Sequence, residues 1–231
     1  MIHNSGIQVI PAINAPTWDE VARKIRLVEP YVDWVHIDVA DGTFTPNALW
    51  HNPLDLVGFE TKANVEIHLM EDRPEERIEA WLIKPVKRVI VHYEVTHDLD
   101  FILAEAKKDG VAVGLSVDSH TSWTCLKSFV DKVDLLQILA VHAGKAGQEF
   151  ERHNLSKIKH LRQFAPKAII EVDGGIVPDI ADDCVRAGLL FPLAKLKLKR
   201  DEHAASLDLF GEFGNHKGCE KSGARGILLV N

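Results

Sequence analysis

Cysteine is scarce in this chain: three in 231 residues (Cys125, Cys184 and Cys219), far apart, with no C-x-x-C pair among them. That argues against a disulfide framework or a cysteine-built metal motif, and fits a reduced compartment with the thiols as ordinary core or surface residues. A basic excess is missing too. Lys and Arg number 27 against 34 Asp and Glu, a net charge of −7 with a pI near 5.9. General binding of nucleic acid or anionic membrane, which rests on a basic face, is therefore not expected. Small anions stay open, because a pocket can be locally positive. No apolar run approaches the ~18 residues that span a bilayer. The opening MIHNSGIQVIPAINAP also lacks the basic-then-apolar order of a signal peptide. The expectation is a soluble, cytoplasmic protein without nucleic-acid or membrane partners.

What is present is rhythm. Short β-branched runs at 7–13, 33–39, 63–69, 86–92, 111–117, 133–141 and 167–173 read as strands. Between them, TWDEVARKIRLVEP, RPEERIEAWLIK, HDLDFILAEAKKDG, TSWTCLKSFVDK, LSKIKHLRQFA and PDIADDCVRAG carry helical spacing. Thr17 with Glu20 reads as a helix cap, Pro74 and Pro178 as first-turn residues, and Gly110 and Gly188 as stops. The alternation fits an α/β protein with a parallel sheet, either a (β/α)8 barrel or an open doubly wound sheet. After Gly188 the rhythm fails. Leu189 to Phe191 stops at Pro192, Ala194–Lys199 alternates apolar residues with lysine, 201–210 has helical character, 211–226 is glycine-rich, and Ile227–Val230 is apolar again. No eighth strand is assigned. With no internal repeat or linker, residues 1–231 are taken as one domain whose segment 189–231 is irregular.

Ligand-type residues gather where the predicted strands end: His36 and Asp38 in strand two, His68 in strand three, Asp173 in strand seven. In a barrel that end carries the catalytic loops. His36 and Asp38, two apart, point the same way in an extended strand. Two imidazoles and two carboxylates make a mixed N/O set suited to Zn²⁺, Fe²⁺, Mn²⁺ or Co²⁺. Asp41 and Gly42 read as turn residues. His92, also at a strand end, is read as structural. Asp173-Gly174-Gly175 and HAGKAGQEF (142–150) leave strands seven and six with glycines that let backbone N–H groups approach an anion.

DWVHIDVADGTFTPN, VEIHLM, VHYEV, HAGKAGQEF and IEVDGGIVPD stand in an order and spacing that resembles the ribulose-phosphate 3-epimerase family over about residues 7–188. The resemblance implies a (β/α)8 fold and a divalent metal ion that helps interconvert D-ribulose 5-phosphate and D-xylulose 5-phosphate. It implies His36, Asp38, His68 and Asp173 as metal ligands, with Asp38 and Asp173 as the acid–base pair on opposite faces of the sugar. Substrate contacts are expected from Asn14, His68, Met70, Gly144, Gly147, Gly174 and Gly175. A sugar phosphate is the expected partner, in a homo-oligomer.

Departures from the family pattern fall around the same site. Ala12 and Asn14 stand in the strand-one P-S-x-L-S region, Ala40 and Leu139 replace methionines, and VDSHTSW lacks the usual N-P-x-T. In HAGKAGQ, Lys145 and Ala146 enter a loop that is usually N-P-G-F-G-G-Q. The phosphate-binding Gly-Ser after strand eight has no counterpart in place, since Ser222-Gly223 reverses the order. Two other readings therefore stay open: an epimerase of another ketose phosphate, and a metal-binding homologue without catalysis.

Overall fold

The computed structural model describes residues 7–143, 147–189 and 225–230. Among them, parallel strands close into a barrel in chain order: β1 (Ile7–Ile13), β2 (Trp34–Ala40), β3 (Asn64–Met70), β4 (Val86–His92), β5 (Ala112–Val117), β6 (Leu135–Leu139), β7 (Ile169–Asp173) and β8 (Arg225–Val230). Closure decides between the two architectures open to the sequence. β8, which includes the apolar Ile227–Val230, pairs with β7 (Glu171 opposite Ile227) and with β1 (Val9 opposite Leu228). It was not assignable from sequence because about fifty residues separate it from β7, far more than an ordinary βα connection. Residues 190–224, including the tail features from Pro192 to Ser222-Gly223 and Cys219, lie outside the described residues, as do Gly144, Lys145 and Ala146.

The strands are buried on both faces, which is why they read as near-continuous apolar runs. Val35, Ile37, Val39, Val65, Ile67 and Leu69 face outward into the layer between barrel and helices. Their neighbours of the other parity, His36, Asp38, Glu66 and His68, face the barrel interior, as strand alternation requires. The outer layer is completed by α1 (Trp18–Val28), α2 (Ile78–Trp81), α3 (Leu99–Asp109), α4 (Asn154–Phe164) and α5 (Pro178–Cys184). α1 buries Val21, Ile25 and Val28, one stripe of a 3.6-residue period. Asp98 caps α3 by accepting from Phe101 N at 2.9 Å, and Gly110 ends it in the left-handed region at φ 66°.

Some local expectations change. Thr17 sits at the N-cap of α1, but its side chain makes no capping bond. The predicted helix over 73–84 is a 3₁₀ turn (Pro74–Glu76) followed by the single turn of α2, and 121–132 holds 3₁₀ turns over Trp123–Phe129. The second stretch carries Thr, Cys and Ser, poor helix formers that compete for backbone hydrogen bonds. The β2–β3 connection has no α-helix. It holds a 3₁₀ turn (Pro53–Leu56) and pins Trp50 between Trp18 and Trp81, with ring centroids 5.0 and 5.6 Å apart.

Candidate metal centre at the strand ends

Parallel register carries the four predicted ligands to one place. Asp38 pairs with His68 across β2 and β3, and Asp173 ends β7. His36 and His68 are fully buried, and Asp38 and Asp173 are 7 % and 5 % exposed. One donor atom from each of the four lies within 4.8 Å of the others. Asp38 Oδ1 is 3.3 Å from His36 Nε2 and 3.1 Å from His68 Nδ1; Asp173 Oδ2 is 4.0 and 3.5 Å from the same nitrogens. Four ligands around a tetrahedral ion with bonds of ~2.0–2.1 Å would stand about 3.3 Å apart.

The orientation of each imidazole is set from behind. Nδ1–H of His36 donates to the buried Glu66 carboxylate at 2.6 Å, leaving Nε2 toward Asp38 and Asp173. Nδ1–H of His92 donates to Glu94 at 3.3 Å. Burial lowers the pKa of His92, so its Nε2 accepts from Nε2–H of His68 at 2.8 Å. That leaves His68 Nδ1 facing the two aspartates. These tautomers follow from the hydrogen-bond network. Two imidazole lone pairs and two carboxylates aimed at one point repel one another unless a cation or extra protons stand between them, and this donor set fits a divalent ion.

Without an ion, protons take that place. Burial opposes charge on His36, but the Asp38 and Glu66 hydrogen bonds outweigh it and hold its pKa well above the ordinary value. The pKa of His68 is raised against burial by Asp173 and Asp38. Burial likewise pushes Asp38 up, and its hydrogen bonds to His36 and His68 prevail, holding it below the usual carboxylate range.

Beneath these groups lies a charged layer that the sequence reading passed over. Arg88 Nε donates to Glu66, and Gln137 Nε2 donates to Glu171 at 2.8 Å. Burial, reinforced by the Glu66 charge, pushes Glu171 up to about 8. A signal was available: Glu66 stands two residues before His68 and Glu171 two before Asp173, the same-face spacing of a strand. His92, taken as structural, touches the cluster and orients His68. That contact depends on β3 and β4 being neighbours, which no local pattern reveals.

The expected substrate-contacting residues divide. Asn14 reaches the cluster, its Nδ2 donating to Asp38 Oδ2 at 3.3 Å. Met70 packs with Ala40 and Leu49 into a small apolar wall that Phe44 and Ala143 join. Gly174 and Gly175 are both left-handed, at φ 97° and 68°. A Cβ on Gly174 would stand 2.9 Å from Val141 Cγ1, and one on Gly175 2.7 Å from Phe150 Cα. Glycine is required there because the loops after β6 and β7 touch. Gly147 is exposed with φ 76°. Asp41 takes the turn role expected of it, accepting from Thr43 N at 2.9 Å.

The Ribulose-phosphate 3 epimerase family profile matches residues 8–193. The chain belongs to this family. Membership places it among the epimerases, a class of isomerase. Ribulose-phosphate 3-epimerase of Chlamydia trachomatis is 31 % identical over 191 residues, covering 79 % of this chain and 82 % of that one. The Bacillus subtilis protein of the same name is 31 % identical over 79 % of this chain and 87 % of its own. The chloroplastic ribulose-5-phosphate-3-epimerase of Arabidopsis thaliana is 33 % identical over 80 % and 68 %. Among solved structures, a chain of the Pyrococcus furiosus tryptophan synthase complex superposes with a TM-score of 0.53 at 13 % identity, covering 78 % of this chain and 84 % of that one. That likeness concerns the barrel alone. No helix among the described residues is long and apolar enough to cross a membrane.

Proposed function

We propose that the chain interconverts D-ribulose 5-phosphate and D-xylulose 5-phosphate by inverting C3. His36, Asp38, His68 and Asp173 would hold a divalent ion, with Zn²⁺, Fe²⁺, Mn²⁺ and Co²⁺ all compatible with the donors. The observation that supports this reading is the meeting of two carboxylates with two imidazoles whose free nitrogens are both turned toward them. A bound ion supplies positive charge against the substrate oxygens that gain electron density as the C3 proton leaves.

The chain's own groups do the rest. One of Asp38 and Asp173 takes the C3 proton and the other returns a proton to the opposite face. The Ala40, Leu49 and Met70 wall keeps water away from the carbanionic centre, where the same charges interact more strongly than in water. We assign the phosphate end of the substrate to the loops after β6 and β7, where the left-handed Gly147, Gly174 and Gly175 stand and glycines let backbone N–H groups approach an anion.

A coupled assay on the metal-loaded chain, with deuterium uptake at C3 read by NMR, tests this. Turnover of D-ribulose 5-phosphate is expected. Turnover confined to another ketose phosphate would move the substrate, and a bound ion without turnover of any ketose phosphate would favour a non-catalytic role.

A further inference from the structure

Two loops that depart from the family pattern, the one after β5 (VDSHTSW) and the one after β6 (beginning at His142), converge on the barrel rim. There the rings of His120 and His142 stack with centroids 4.9 Å apart, and Asp118 lies with them in a group whose donor atoms fall within 4.8 Å of one another. Glu151, just before α4, reaches both imidazoles. Its Oε2 is 3.9 Å from His120 Nδ1 and its Oε1 is 3.7 Å from His142 Nε2. Asp118 Oδ1 is 3.9 Å from His120 Nδ1.

We propose that Asp118, His120, His142 and Glu151 form a second divalent transition-metal site, separate from the one inside the barrel. The donor set is again two imidazoles and two carboxylates, the mixture that Zn²⁺ and its neighbours take. The imidazole–carboxylate separations of 3.7–3.9 Å exceed the tetrahedral spacing by a few tenths of an ångström, and Asp118 and Glu151 fall in separate close groups that share His120, so the side chains must shift to bring both carboxylates to one ion. Both imidazoles are exposed, with 61 % and 65 % of each side chain accessible, so they are free to close that gap.

The Glu151 carboxylate and the backbone that carries Asp118 are held in place from below. Ser119 is fully buried and its hydroxyl donates to Glu151 Oε2; the same hydroxyl accepts from the buried Asn154 Nδ2 at 2.7 Å. Lys157 Nζ donates to the carbonyl of Asp118 at 2.9 Å and to that of Ser119. Asp118 N donates to Glu94 Oε1 at 2.8 Å. Such outer hydrogen bonds orient ligands at metal centres. His153 stands beside the group, but its Nε2–H is engaged by the Ser119 carbonyl at 2.8 Å, which ties the start of α4 to the loop.

The test is calorimetric titration of the chelator-stripped, full-length chain with Zn²⁺ alone, read for stoichiometry. Two equivalents are expected. The paired substitution His120→Ala and His142→Ala should remove one or weaken it at least ~10-fold, and Glu151→Gln, which preserves shape, should weaken the same one. Asp38→Asn should weaken only the other. A single equivalent in the unaltered chain, or a second that survives the paired substitution, overturns the proposal.

Discussion

One part of the barrel interior is filled by Ile10, Ile90, Leu135, Ile227 and Leu229, each no more than 3 % exposed. The other part holds His36, Asp38, Glu66, His68, Arg88, Glu171 and Asp173, all buried as well. The apolar set is held by contact area, so each member contributes separately and tolerates trimming at a graded cost. The charged set is stable only as a set. Each group is tolerated in a dry place because its neighbours answer it, and removing one partner of such a pair costs about 3–5 kcal/mol. The chain gives up interior packing on one side to hold a cluster whose donor atoms no apolar residue could supply.

The sharpest way to separate the two sets is Asp173→Asn, a near-isosteric change. Solvent proton exchange at C3 should fall at least ~10³-fold, measured by deuterium uptake, whereas Ile227→Val should leave it unchanged. Exchange retained in the Asn variant would remove Asp173 from the acid–base pair. Next in size, Leu135→Ala should lower unfolding free energy by about 2–5 kcal/mol in a denaturant titration while leaving Zn²⁺ affinity at the inner site unaltered. A loss of affinity there would mean that the two sets are not independent.

Glu66→Gln keeps the shape of the partner behind His36 but removes its charge. Affinity for the inner ion should drop about 10–100-fold, read by competition with a chelator.

The smallest effect is on pH dependence. His36 and His68 have raised pKa values and Glu171 is pushed up to about 8. Between the ordinary values and the raised ones, the folded chain binds more protons than the unfolded chain, so stability falls as pH rises, by at most ~1.4 kcal/mol per pH unit for each proton. Asp38, with its lowered pKa, acts in the opposite sense and contributes stability that is lost in acid, below the ordinary carboxylate value. The metal-free chain should therefore show a falling Tm from pH 6 to 9. Glu171→Gln should flatten its Glu171 share, and an unchanged slope would remove Glu171 from the account.

Much of this was legible in the chain. β1 and β4 run over the predicted ranges, and β2, β3, β5, β6 and β7 differ only at their ends, because burial on both faces writes a continuous apolar run. His36, Asp38, His68 and Asp173 stood out as polar residues in such runs. His92 did not, because a lone histidine at a strand end carries no mark of its neighbour. Glu66 and Glu171 carried the period-two mark, yet nothing local tells a buried carboxylate from a wet one. β8 was hidden by its distance from β7.

The order of residues determined which segments become strands, which side chains share a strand face and which chemical types stand at the strand ends, since these follow from backbone periodicity over a few residues. The closure of the sheet, the pairing that sets Asp38 opposite His68, the turning of both imidazoles by Glu66 and His92, and the meeting of His120, His142 and Glu151 were decided only in three dimensions. Each of these joins groups tens of residues apart, and it is barrel closure with its register that brings them within a few ångströms.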